Sequence, residues 1–177
     1  FTPSVVNVKG EPVDLSKAGP DEDLYVRIGA GRTSDETNRA LAARRWTVAV
    51  TPSSGYSTFG GNFATNARGS GTPAYGPFGD SVNRIRIVAT SGKRARVLEI
   101  TDRKEIRRLA GHHGLCGLVT ELDVRIAPIL KAEEMRCAIL SMDSADAGHL
   151  GATIGALMKR VAASCRYYAG EFLFIDP

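Results

Sequence analysis

The chain of 177 residues is 43% hydrophobic and 24% charged, the makeup of a water-soluble globular protein able to bury one ordinary core. Nothing in it resembles a transmembrane span or a signal peptide, since Phe1-Thr2-Pro3-Ser4 brings neither a basic region nor an apolar run of the needed length. A formal charge of +4 and a pI near 9.1 raise nucleic acid as a partner, but the aromatic interleaving of a stacking platform and any helix-turn-helix or finger pattern are missing, which argues against it.

Leu24 to Ile28 reads as a strand, approached by the polar Asp21-Glu22-Asp23. Thr33 with Glu36 three residues on forms a capping-box pattern, Leu41 and Ala42 supply part of an apolar face, and Arg44-Arg45 close the last turn at the negative end of the helix dipole. Trp46 to Val50 is a short β-rich run ended by Thr51-Pro52, completing a strand, helix, strand unit. From Pro52 to Gly71 the chain is Gly, Ser, Thr and Asn with almost no charge. Such a stretch is expected to bury no side-chain core, yet it supplies backbone N–H groups and small hydroxyls where a ligand could approach closely. Composition alone fits a flexible surface loop equally well.

Val82 to Ala89 alternates, with Val82, Arg84, Arg86 and Val88 of one parity and Asn83, Ile85, Ile87 and Ala89 of the other. Ser91-Gly92 is a turn signal and Lys93 to Ile100 returns, so an antiparallel hairpin is expected. Thr101-Asp102 caps a short helix through Leu109, with Asp102 and Glu105 at capping-box spacing, and Gly111 and Gly114 break it. From Cys116 a strand runs to Pro128, with Cys116, Leu118, Leu122, Val124 and Ile126 on one face and Glu121, Asp123 and Arg125 on the other. A boundary falls near Ile129 to Glu134. Beyond it the pattern predicts a strand at Arg136 to Met142, a helix from Ser144 to about Cys165 carrying Leu150, Ile154, Leu157, Met158 and Val161, and a strand at Glu171 to Ile175.

Cys116, Cys137 and Cys165 are odd in number, widely spaced and set in apolar stretches, so buried thiols in a reducing compartment are expected rather than a disulfide framework. No metal site is expected. His112 and His113 are adjacent, which in an extended segment sends their rings to opposite faces, and His149 has no ligand partner at helical spacing. Arg84, Arg86, Lys93, Arg94, Arg96, Arg103, Lys104, Arg107 and Arg108 crowd one third of the chain. They read as a solvated basic face, or one that meets an acidic partner or anionic headgroups.

Three blocks occur in order. Val26-Arg27-Ile28-Gly29-Ala30-Gly31 fits V-x-x-G-A-G; Pro52, Thr58-Phe59-Gly60-Gly61-Asn62 and Ala64-Thr65-Asn66-Ala67, followed by Tyr75-Gly76 with Asp80 and Val82, fit P-G-(S/T), then (S/T)-(I/V)-G-G-N-x-A-T-N-A-G-G, then Y-G-x-x-x-D-x-V. Gly111-His112-His113-Gly114-Leu115-Cys116-Gly117-Leu118-Val119-Thr120 fits G-S-E-G-T-L-G-I-(I/V)-T. Together they resemble the FAD-linked oxidases and dehydrogenases with a cofactor domain of the vanillyl-alcohol-oxidase type, over about residues 5 to 128. Three positions depart from the pattern: Arg68 stands for a glycine, Gly79 for an arginine, and His112-His113 for Ser-Glu. Arg68 could pair with a phosphate or a substrate carboxylate, or face solvent.

The resemblance implies an α+β fold, a vanillyl-alcohol-oxidase/PCMH-type FAD-binding domain over residues 1–128 lacking its upstream pyrophosphate loop, followed at 129–177 by the start of an α+β cap domain that covers the substrate. An incomplete copy of a larger flavoprotein is therefore expected. Pro52, Thr58, Gly60, Gly61, Thr65, Asn66 and Ala67 would contact FAD, mostly through backbone groups, and Val119 would hold its adenine end. With no cysteine between Pro52 and Gly71, noncovalent FAD is the expectation. The implied activity is oxidation of a small 2-hydroxy acid such as D-lactate or glycolate by hydride transfer to flavin, with a quinone, cytochrome or electron-transfer flavoprotein as electron acceptor. An alditol-type oxidase, the FAD subunit of a molybdenum hydroxylase and a non-catalytic scaffold subunit stay open. No catalytic base is assigned; His112 and His113 are the local candidates. Cytoplasmic placement is expected, with peripheral contact at the cytoplasmic face of a membrane as a further option.

Overall fold

Residue Leu24 pairs with Ile126 across 102 positions of sequence, and the rest of the fold is arranged around that closure. The computed structural model describes residues 2–91, 94–129, 151–156 and 159. The chain divides into two compact units, Phe1–Ile129 and Leu130–Pro177. The first holds β1 (Ser4–Asn7), β2 (Leu24–Gly29), α1 (Ser34–Ala42), β3 (Trp46–Val48), α2 (Phe59–Ala64), α3 (Thr72–Tyr75), a 3-10 turn (Phe78–Ser81), β4 (Val82–Ser91), β5 (Arg94–Ile100), α4 (Arg103–Leu109) and β6 (Leu118–Pro128). Of the second, residues 151–156 are helical; the rest of the helix expected from Ser144, the strands expected at Arg136 and Glu171, and Cys137 and Cys165 lie outside the described residues.

One antiparallel sheet has the order β1-β2-β6-β4-β5, with β3 also pairing β6. β6 is the centre. One edge of it takes β2, and the other takes β4 along Leu118–Val124 and β3 along Ile126–Pro128. The α+β architecture expected from the sequence is therefore present, as a curled antiparallel sheet with helices against it. The expected strand at Trp46–Val50 is shorter: its register against β6 ends at Val48, with Ala49 N–H making one further bond to Arg125 O at 3.0 Å.

One sheet face carries Leu24, Val26, Ile28, Val82, Ile85, Ile87, Val119, Leu122, Val124 and Ile126, and Leu41, Phe59, Phe63, Phe78 and Ile106 from the helices and turns complete the core. This corrects the expectation that the glycine-rich stretch buries nothing. Phe59 and Phe63 lie four apart, on one side of α2, and both are fully buried.

Two irregularities change the expected alternation. Pairing steps from Val82↔Val124 to Arg84↔Asp123, leaving Asn83 as an extra residue on β4, and from Arg86↔Glu121 to Ile87↔Val119, leaving Thr120 extra on β6. A bulge swaps the faces on either side of it. Val82 thus joins Ile85 in the core rather than Arg84. Leu118, expected beside Leu122, is 70% exposed, while Val119 is buried. Cys116 precedes the strand, in an exposed turn, so the expected buried thiol is not found there.

The face opposite the apolar residues carries Glu121, Asp123 and Arg125 as expected, and on it Asp123 is only 1% exposed. Arg27 holds it through two hydrogen bonds of 2.8 Å. Arg84, a member of the expected basic face, is turned inward instead and reaches Glu99 and Glu121 at 2.6 Å and Asp123 at 3.5 Å. Three carboxylates around one guanidinium leave no buried charge unpaired, which is the condition for tolerating it.

Candidate functional site

Three segments meet at the ends of β2 and β6. Past Gly29 the chain turns through Ala30 and Gly31 into α1, whose N-cap is Thr33 in a full capping box with Glu36. Ala30 N–H donates to Thr120 O at 2.9 Å, fastening this turn to the bulge of β6. The same turn receives α2: Phe59 N–H donates to Arg32 O at 3.0 Å and Gly60 N–H to Ala30 O at 2.8 Å. Thr58 caps α2, its Oγ1 accepting from Gly61 N–H at 3.2 Å. The third segment follows α4. Gly111 N–H and His113 N–H donate to Phe63 O and Ala64 O, at 3.0 and 2.8 Å, and carry the chain across the end of α2 toward β6.

Between these segments lies a cleft of about 350 Å³, within the range of small-molecule sites. Ala30 and Gly31 come from the first segment, Thr58, Gly60, Gly61 and Ala64 from the second, and His112, Gly114, Gly117, Leu118 and Val119 from the third. A smaller cleft of about 290 Å³ shares Gly31 and adds Gly29, Arg32 and Glu36.

Four of the eight residues singled out from the sequence, Thr58, Gly60, Gly61 and Val119, therefore line one cleft. The other four do not line it. Thr65 ends α2, and its hydroxyl donates to Gly61 O at 3.0 Å. Asn66, at φ 48°, accepts from Gly79 N–H at 3.0 Å, and Ala67 joins Asn62 O and Phe78 N–H. Pro52 sits beside the Thr51↔Ser70 bridge that closes the loop. Ala30, Gly31, Ala64, Gly114 and Gly117 also line the cleft, and all fall inside the three matched blocks, where the recurrence of glycine was the signal. Asp80 of the same pattern acts in support, pairing with Arg107 at 2.6 Å while its carbonyl accepts from Arg103 at 2.7 Å.

The expectation of backbone contacts at Gly60 and Gly61 meets N–H groups already engaged within the protein. The glycines nonetheless leave space. A Cβ at Gly31 or Gly114 would meet nothing within 4 Å, and at Gly61 only Thr58 Oγ1, at 3.2 Å. At Gly114 a φ of +85° calls for glycine in any case, but at Gly31 no positive φ and no neighbour does. Bare wall of this kind fits a large planar or extended ligand pressed close to the main chain. No cysteine and no charged side chain lines the larger cleft. Among the described residues there is no group of three metal-ligating side chains, and no helix long and apolar enough to cross a membrane.

A curled antiparallel sheet with a glycine-walled cleft at the β2–β6 junction is an architecture that suits a dinucleotide-binding domain. More than half of the chain, residues 7–98, matches the family described as FAD binding domain, and the chain belongs to that family. FAD is its cofactor. Among solved structures the chain is similar to an alkyldihydroxyacetonephosphate synthase, at 25% sequence identity and a TM-score of 0.53 over 61% of this chain. It spans 19% of that synthase's length. No curated protein matches it.

Proposed function

We infer that this chain is the cofactor-holding part of an FAD-dependent oxidoreductase acting on a small 2-hydroxy acid of the D-lactate or glycolate type. The observation that carries the reading is the cleft, where Gly31 and Gly61 leave bare wall in a domain of the FAD-binding family. Ala64-Thr65-Asn66-Ala67, with Tyr75-Gly76 and Asp80 after it, supports the hydroxy-acid branch. Bound FAD would supply a two-electron acceptor for the hydride of the substrate's C–H bond, with the hydroxyl proton left to a base.

This chain's own residues bind and orient. Thr58 Oγ1 accepts from Gly61 N–H and so keeps its own proton to give. Gly31, Gly61 and Gly114 let the cofactor lie against the main chain, and Val119 closes the far side from β6, where it pairs with Ile87 of β4. The lining offers no cysteine for a thioether link to the flavin, which supports noncovalent FAD. Substrate contacts and the catalytic base are assigned to the cap domain of the intact flavoprotein, and a quinone, cytochrome or electron-transfer flavoprotein takes the electrons onward, at the cytoplasmic side.

The similarity to an alkyldihydroxyacetonephosphate synthase favours a second reading, a synthase forming an alkyl-dihydroxyacetone phosphate. Anaerobic stopped-flow mixing of the intact flavoprotein with D-lactate or glycolate separates the two. Bleaching of the visible flavin band by either acid supports the first reading. A flavin that stays oxidised with both, in a protein that forms an alkyl-dihydroxyacetone phosphate, would replace it.

A further inference from the structure

We propose that His112 is a hydrogen-bond donor to the bound flavin dinucleotide through Nε2–H, an inference that rests on the FAD-binding reading of this cleft. His112 lines the cleft, is 8% exposed, and accepts the N–H of Gly114 on Nδ1 at 2.9 Å. A ring nitrogen that accepts carries no hydrogen, so the neutral imidazole bears its proton on Nε2. That Nε2–H is closed to water and has no hydrogen-bond partner. Buried donors are satisfied in the great majority of cases, so one that is not calls for a reason.

The cleft supplies it. Ser34, Asn62 and Ser81 also carry an unpaired buried polar atom, and none of them lines this cleft. Within the lining, His112 contributes the only side-chain nitrogen and Thr58 the only hydroxyl. An acceptor reaches Nε2 with a shift of the Gly114–Gly117 turn, whose tip, Leu115, is 91% exposed, while Gly114 N–H to His112 Nδ1 and Leu115 N–H to His112 O, both at 2.9 Å, keep the ring in place. The ring is meanwhile set by Phe63, with centroids 6.0 Å apart and planes at 54°. The matched sequence pattern has serine at this position, so the reach of an imidazole is this chain's own.

Three variants of the intact protein separate the donor from its packing. H112N places an amide oxygen near the Nδ1 position, able to accept from Gly114, and withdraws the distal donor. H112Q offers an amide N–H at about the reach of Nε2, and H112F keeps ring bulk and removes both. Apoprotein is titrated with FAD by flavin fluorescence, and separately with ADP. The expected result is FAD binding about five- to tenfold weaker in H112N and H112F, the loss of one hydrogen bond, with most of it recovered in H112Q and the apoprotein melting temperature of H112N unchanged. A parallel loss with ADP places the acceptor in the adenosine diphosphate half; a loss confined to FAD places it in the flavin half. Equal FAD affinity in wild type and H112N, or a weakening that tracks a fall in apoprotein melting temperature, would overturn the role of His112 and leave the FAD reading standing. Wild-type apoprotein that takes up no FAD would overturn both.

Discussion

A methyl group added at Gly60 would stand 2.9 Å from the Ala30 Cβ, whereas at Gly61 the nearest atom is Thr58 Oγ1 at 3.2 Å. Gly60→Ala should therefore strain the fold itself, by about 1–3 kcal/mol, read as a shift of the urea midpoint. Gly61→Val should leave expression soluble and abolish FAD retention, because its branched carbons enter the cleft; wild-type flavin content in the purified variant would remove Gly61 from the site. Across the sheet, Arg84→Met leaves Glu99, Glu121 and Asp123 short of a cation. It should cost about 3 kcal/mol in denaturant unfolding, since the Arg84 side chain is only 10% exposed. The Arg84 guanidinium, hydrogen-bonded to Glu99, holds that carboxyl below its usual range. A carboxyl depressed in the folded state stabilises above its unfolded value and loses that contribution as pH falls through the folded one. Glu99→Gln should thus flatten the decline of stability below about pH 4.5. At neutral pH it should change stability by under about 1 kcal/mol, because the Glu99 side chain is half-exposed. Thr58, Gly60, Gly61 and Val119 were legible in sequence because each block is a short contiguous pattern. The burial of Asp123 was not, since its partner Arg27 lies 96 residues away.

Elements whose ends are set by neighbouring residues follow the sequence closely. Thr33 caps α1 with Glu36 reaching back, and Asp102 accepts from Glu105 N–H at 2.8 Å to start α4. Asp102→Ala should lower stability by about 1 kcal/mol in chemical unfolding. It should leave FAD affinity nearly unchanged, as α4 meets the core through Ile106 and the Asp80–Arg107 pair rather than through the cleft. The glycine-rich stretch shows the opposite case. Its composition reads as loop, yet two phenylalanines one helical turn apart are enough to anchor a helix of six residues. Both bulges were hidden for a related reason. An extra residue on one strand is defined only by its partner, and the β4–β6 register is absent from either strand taken alone. The Thr120 bulge is what sends Val119 inward and Leu118 outward, and it places Thr120 O where Ala30 N–H can meet it.

At the scale of the whole domain, the central strand of the sheet is the last to be made. β1, β2, β3, β4 and β5 all precede β6 in the chain, and β2, β3 and β4 find no common neighbour until β6 lies between them. Five of the eleven residues of the cleft wall, from His112 to Val119, arrive with that strand. Pairings of this span are slow to close, because the loop entropy is lost before the contacts form. The single tryptophan makes the event visible: Trp46 sits opposite Pro128 in the β3–β6 ladder and is buried there. Refolding followed through Trp46 fluorescence and through quenching of added FAD should show both signals in one common slow phase. Flavin quenching ahead of Trp46 burial would mean that the cleft is built before its central strand is in place. A common phase would make capture of the cofactor a kinetic checkpoint, a newly made chain becoming yellow only after its sheet has been closed.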